Sequence, residues 1–381
     1  MNKLKYLDGL RGCAALIVVF HHFANAFYPA TYLGVETLRH SPLDVLFLTT
    51  PLGIFVAGNF AVGIFFILSG YVLSIKYFET GDAKVLTSGA IRRYFRLLPP
   101  VVFSMALAWG LMVLGWMPVK EAAAITGSSG WLAQCWNFVP DFGKLLEESF
   151  FGVFFNYQAN YNNVLWTMTY EFFGSFLVFG AAAILGPAKW RRGALIILFL
   201  LFIKTYFAGF ILGMILSDTK VRSPGFFVWF KNPWSAAALL VFGLLLGTYP
   251  TFVDIKTTGY GFLATDFFGY APTFYHMVGA FFVMLAVLSS AGLQKFFSLR
   301  FPLFLGRISF SMYAMHVIII GSLSCGMFLL LKPQMDYHTA VGITFVVTMG
   351  VSLLGGWVVN RFVDEPGVRL SSTIQKRFFP L

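Results

Sequence analysis

The feature that most constrains this chain is the recurrence, from one end to the other, of apolar runs close to the length of a membrane crossing. They fall near 10–30, 53–75, 97–117, 164–186, 193–203, 205–217, 234–248, 273–291, 308–331 and 339–360. A spanning helix needs about 20 mainly apolar residues. Lipid offers the backbone no hydrogen-bond partner, so such runs must be helices; a barrel would need short alternating strands. Composition agrees: 58% of residues are hydrophobic and 11% are charged, against about 25% charged in a soluble domain. The expected fold is all-α, a polytopic integral membrane bundle of about ten transmembrane helices, read as a single domain over 1–381.

The pair 193–203 and 205–217 is the weak point of this map, because each run is short for a span; it reads as two short helices or one bent one. Charge placement argues for two. With the N-terminus in the cytoplasm, twenty-one of the basic residues fall in inside segments. Six fall outside: Arg39, Lys120, Lys144, Lys204, Lys256 and Lys332. Basic residues collect on the cytoplasmic side, so the expectation is N-in and C-in. Merging the weak pair would invert every later loop. The net charge of +11 reads the same way, as loops facing anionic headgroups rather than as a nucleic-acid footprint.

Lys3 and Lys5 ahead of the first run resemble a signal sequence. Asp8, Arg11, His21 and His22 interrupt the run and no clean cleavage pattern follows, so a retained span is expected. Cys13, Cys135 and Cys325 show no metal-ligand spacing and no disulfide framework. The outside loops are 118–163, with a polar stretch from Asn156 to Asn163, and 249–272, with Asp254 and Asp266.

Polar residues inside such runs are the candidates for chemistry. Arg11 and His22 are eleven positions apart in the first run. Eleven helical steps return to within about 20° of the starting direction and rise about 16 Å. The two side chains share a face, Arg11 near the cytoplasmic surface and His22 near mid-bilayer. A histidine there can act as a general base; the bland alternative is a histidine bonded to a neighbouring helix, the role expected of His21. Arg92, Arg93 and Arg96 stand at the cytoplasmic end of the third span. Arg93 and Arg96 share a face, and guanidinium forks suit phosphate, although an ordinary positive-inside cluster reads the same. Glu171 is the acidic residue inside a span and is placed nearer the outer face; it needs a partner or a proton. His316, in the ninth span, either lines a cavity with His22 or bonds Glu171. Gly63 and Gly70 read as a close helix contact, and Ser69 beside them has no activating base in sequence.

Taken in order, Leu7-Asp8-Gly9-Leu10-Arg11-Gly12-Cys13-Ala14-Ala15-Leu16 with His22, Phe65-Phe66-Ile67-Leu68-Ser69-Gly70, Arg92-Arg93-Tyr94-Phe95-Arg96-Leu97-Leu98-Pro99, Trp166 to Glu171, Gly306 to His316 and Val363-Asp364-Glu365-Pro366 resemble six blocks of the membrane acyltransferase family called type three. Leu165-Trp166-Thr167-Met168 departs from the serine-leucine pairing more usual there, and no hydrolase-like segment is legible within the chain. The resemblance implies an enzyme that moves an acyl group, usually acetyl, from cytoplasmic acyl-CoA to a hydroxyl, commonly on a cell-envelope glycan or polysaccharide. It implies that Arg11 and His22 are an essential pair and that Arg93 and Arg96 are the family's arginine pair; with the residue reading above, catalytic work is expected at His22, joined by Glu171 and His316, and acyl-CoA binding at Arg11, Arg92, Arg93 and Arg96. No tightly bound cofactor or metal is expected; acyl-CoA, the glycan and membrane lipid are the expected partners, with homo-oligomerisation left open. For a bacterial chain the location would be the plasma membrane. The competing class is a transporter or flippase for a lipid-linked glycan or small solute, which ten spans with intramembrane His and Glu would also suit.

Overall fold

The computed structural model describes residues 4–264 and 271–379, so Lys3 and Asp266 lie outside the described residues. Among the described residues every regular element is helical. Each expected apolar run lies in a helix: α1 Lys5–Phe27, α2 Gly58–Thr80, α3 Ala83–Val113, α4 Trp166–Leu185, α5 Arg191–Phe202, α6 Phe207–Arg222, α7 Pro233–Gly247, α8 Ala271–Ser289, α9 Arg300–Ile319 and α10 Tyr337–Val359. α9 runs on through a widened turn, Ile320–Ser324, into Cys325–Leu331; α10 runs on through another, Asn360–Asp364, into α11, Glu365–Phe378. Seven helical stretches are long and apolar enough to cross a membrane. α5, α6 and α7 have 12, 16 and 15 residues, below that length, and α7 meets the preceding turn, Pro224–Phe230, at 90°. The protein is an integral membrane helical bundle.

The boundaries moved most at α3. Its apolar run begins near residue 97, but the helix starts at Ala83. Gly81 ends α2 in the left-handed region, at φ 69°, and the Asp82 carboxylate caps α3 by accepting from Lys84 N–H at 2.9 Å. A helix propagates through polar residues as readily as apolar ones, so hydropathy marks where lipid begins, not where helix begins. Arg92, Arg93 and Arg96 therefore sit within the helix, not at its end.

The weak pair is two helices. Arg191, which opens α5, and Asp218, near the end of α6, form a buried ion pair; Arg192 joins the same carboxylate at 2.9 Å. A contact between the two ends of the segment requires the chain to double back, so α5 and α6 are an antiparallel hairpin.

Small residues set the closest approaches. A Cβ on Gly70 would meet the Phe210 carbonyl oxygen at 2.0 Å, so α2 and α6 touch backbone to backbone at the expected small-residue face. The contact that positions the site joins α1 to α9. A Cβ on Gly12 would lie 2.2 Å from Gly306 N, and one on Gly306 would lie 2.2 Å from the Asp8 carbonyl oxygen. Loop 118–163 folds back over the bundle rather than standing free. Trp136 and Tyr161 are buried in it, Trp136 Nε1 donating to the Tyr161 carbonyl at 2.8 Å. Asn162, from the polar stretch, is buried and donates to the Ala314 carbonyl of α9 at 2.7 Å.

Candidate active site

The glycine crossing and the histidines are one construction. Gly12 and Gly306 touch, and ten residues further along each helix stand His22 and His316. The two helices run parallel, so equal steps of about 15 Å along each keep partners level. His316 Nε2 lies 3.0 Å from His22 Nδ1. Of the two sequence alternatives for His316, the structure takes the first: it meets His22 and makes no bond to Glu171. Its ring is fully buried, whereas His22 is partly exposed.

The carbonyls around the pair assign its protons. His316 Nδ1 faces the Tyr313 carbonyl at 2.7 Å, and His22 Nδ1 faces the Val18 carbonyl at 3.0 Å. A carbonyl only accepts, so in the neutral pair both Nδ1 atoms carry hydrogen. His316 Nε2 is then a bare acceptor for the same His22 Nδ1–H. His22 Nε2 is left with a lone pair and no hydrogen-bond partner among the described residues. The tautomer arrangement is that of a general base: one nitrogen held, the other open. Above it lies Trp131 of loop 118–163, its ring centre 5.3 Å from that of His22. His21 points elsewhere and donates from Nδ1 to the Val56 carbonyl at 2.7 Å.

Between α1, α2, α3, α4 and α9 lies a cavity of about 470 Å³. At one end stand Arg11, Lys76, Arg93, Arg96 and Arg307, with Asp8, Glu171 and Asp364 among them. Five basic groups against three acidic ones leave a formal charge of +2. Toward the other end the walls are apolar, with Val62, Phe65, Phe66 and Met168, and Thr167 and Tyr313 supply the polar atoms there. Arg11 is fixed by Ser309, to which its Nε donates at 3.1 Å, and by the Gly306 carbonyl at 3.2 Å and Asp8 at 3.0 Å, yet its side chain remains 47% exposed. Arg96 pairs with Asp364, whose other oxygen accepts from Asn360 at 3.3 Å.

Glu171 is the largest departure from the sequence reading. It does not stand alone. It pairs with Arg93, accepts from the Ser69 hydroxyl at 2.6 Å, and forms part of the charged wall of the cavity. Arg93 is ten residues into α3, deep enough to meet it. The structure therefore groups Glu171 with the arginines and not with the two histidines. Arg92 also departs: it faces away and does not line the cavity, since it is turned about 100° from Arg93 on the helix. Lys76, Arg307 and Asp364 take part instead. In sequence the first two look like any positive-inside residue, and Asp364 was noted only within a block. Thr167 and Tyr313 stand within the Trp166–Glu171 and Gly306–His316 blocks, but nothing in those blocks singles either of them out.

A family model described as an acyltransferase domain matches residues 4–359. The chain belongs to the type-three acyltransferase family. It is similar along nearly its whole length to three acyltransferases. Acyltransferase clz18 of Cochliobolus lunatus is 23% identical, over 95% of this chain and 93% of its own. O-acetyltransferase PaAT-1 of Phomopsis amygdali is 25% identical, over 99% and 85%. Acyltransferase R4 of a Phoma species is 24% identical, over 96% and 94%. No solved structure matches the chain. The protein is thus an acyltransferase, and its site is to be read as that of one.

Proposed function

We propose that this acyltransferase takes an acyl group, acetyl in the first instance, from acyl-CoA held in the cavity and delivers it to a hydroxyl activated by His22. One observation carries the reading: a cavity with a basic mouth and an apolar interior ends one side chain away from a histidine pair whose free nitrogen is a base. Coenzyme A is anionic at its nucleotide end and thin along its thioester arm. Arg11, Arg93, Arg96, Arg307 and Lys76 are the groups to hold its phosphates. The volume lies in the usual range of ligand pockets, about 300–1,000 Å³. Glu171 and Asp364 keep Arg93 and Arg96 extended toward that volume.

In the transfer step, the acceptor O–H proton passes to His22 Nε2 as the oxygen bonds to the acyl carbon. The carbon–sulfur bond breaks and the thiolate of CoA leaves, and the proton held on His22 passes to it to complete the turnover. Until then His22 is an imidazolium whose Nδ1–H points at the His316 lone pair, which stabilises the charge. His316 acts through His22 as a positioning residue. The donor comes from the end of the bundle where α1 begins; the excess of basic residues in the loops on that side supports its being the cytoplasmic one. The acceptor comes from the Trp131 side. A glycan hydroxyl is the acceptor first proposed. A small hydroxylated metabolite or a lipid hydroxyl is the other, supported by the burial of Trp136 and Tyr161, two of the aromatics of loop 118–163.

The test uses the purified full chain and acetyl-CoA. Acetyl-CoA should raise the thermal midpoint, and CoA thiol should be released when hydroxyl acceptors are added. The absence of both effects at millimolar acetyl-CoA would rule out the donor. Mass spectrometry of glycans, lipids and small metabolites from cells with and without the gene then identifies the acceptor as the compound that loses an acetyl increment.

A further inference from the structure

The cavity and the histidine pair do not communicate directly. Tyr313 stands between them. Its side chain lines the inner end of the cavity, and its ring centre is 5.8 Å from that of His316. His22 and His316 are not among the lining residues. Tyr313 is held in place by its hydroxyl, which donates to the Val164 carbonyl and accepts from the Thr167 hydroxyl at 2.7 Å. Val164 belongs to the short turn that leads into α4 and Thr167 to the first turn of α4, whereas Tyr313 belongs to α9. Phe65 of α2 closes the remaining side, its ring centre 6.3 Å away. All three partners of the ring come from different elements, and Tyr313 and Thr167 are both buried.

We propose that Tyr313, latched by Thr167 and the Val164 carbonyl, is a movable partition that keeps the thioester in the cavity apart from the base at His22 until an acceptor is in place. This rests on the acyl-CoA reading of the cavity. An acyl carbon must come within about 3–3.5 Å of the attacking oxygen. With Tyr313 latched, the cavity ends short of that point, so the ring must turn for transfer to occur. A base that met the thioester with no acceptor present would activate water instead. Water oxygen would bond to the acyl carbon, the carbon–sulfur bond would break, and acetate and CoA thiol would be formed to no purpose. The latch costs only hydrogen bonds to open, which suits a group that must move in each turnover. Tyr313 is a positioning residue here, acting through the access it gives His22.

The experiment measures release of CoA thiol from acetyl-CoA by the purified full chain with no acceptor added. Tyr313→Phe keeps the ring and removes the hydroxyl; Thr167→Val keeps the shape and removes the partner. Each should raise acceptor-free release by roughly three- to tenfold, the range set by one or two neutral hydrogen bonds, while acetyl-CoA, held by the cations at the other end of the cavity, still raises the thermal midpoint. Combining the two should add little, because both open the same latch. Adding His22→Ala to Tyr313→Phe should return release to baseline. Unchanged release in both variants, with acetyl-CoA still stabilising them, would overturn the partition and leave the donor reading standing. No stabilisation of the unaltered protein by acetyl-CoA would overturn the donor reading, and the partition with it.

Discussion

His316 Nε2 accepts from His22 Nδ1–H at 3.0 Å, across two helices that are 294 residues apart in sequence. The bond does for His22 what a carboxylate does in a serine-hydrolase triad: it fixes the tautomer and orients the ring. Unlike a carboxylate it adds no charge, so the base stays compatible with an apolar surrounding. Two substitutions separate the roles. His22→Ala should reduce acyl transfer by about 10²–10⁴-fold, the usual contribution of a general base. His316→Ala should reduce it by about 10- to 100-fold, the range of a hydrogen bond to a charged group. In both, the thermal shift with acetyl-CoA should persist. Equal losses would mean that the two histidines act as one unit, and near-normal turnover in His22→Ala would remove it from the chemistry.

The buried Arg93–Glu171 pair makes a contrasting prediction. Removing one partner of a buried pair leaves the other charge uncompensated, at about 3–5 kcal/mol. Glu171→Ala should therefore lower the unfolding midpoint markedly, and Arg93→Met with Glu171→Met together should recover much of it. A stable Glu171→Ala variant that had lost only its turnover number would instead place the carboxylate in the reaction.

The cavity mouth separates arginines that look alike in sequence. Arg307→Ala and Lys76→Ala should each raise the KM for acetyl-CoA by roughly three- to tenfold at low salt, and the effect should shrink as salt screens exposed charge. Arg92→Ala, which lies off the cavity, should leave KM unchanged. Steady-state kinetics at two ionic strengths decides it; a large effect at Arg92 and none at Arg307 would relocate the donor.

The glycine crossing supports the site from a distance. Gly306→Ala would place a methyl 2.2 Å from the Asp8 carbonyl oxygen. Such overpacking costs about 1–3 kcal/mol, and the relief is to part α1 from α9. The unfolding midpoint should fall, and transfer should fall further than the lost stability explains, because both Arg11–Ser309 and His22–His316 span that crossing. Full activity in Gly306→Ala would show that the histidines do not depend on it.

Much of the site was legible along single helices. Arg11 and His22 share a face by helical phase alone, and Arg93 and Arg96 do the same; all of these except His22 line one cavity. Helical phase also separates Arg92 from its neighbours, although a cluster of arginines hides this when read as a block. The partner of His316 was not legible. It depends on which helix lies beside α9, and hydropathy ranks runs by their affinity for lipid without saying which runs touch.

The sequence by itself determined that this protein is a bundle of membrane helices, because apolar runs of that length leave the backbone no other way to satisfy its hydrogen bonds in lipid. It also determined which ionisable groups stood inside the apolar runs. Only the tertiary structure decided their company. Two glycines let α1 and α9 meet closely enough to bring His22 to His316, an ion pair drew Glu171 to Arg93 rather than to the histidines, and Tyr313 was set between the cavity and the histidine pair. Pairing across helices is fixed by shape and charge complementarity between segments hundreds of residues apart, and no local pattern in either segment records it.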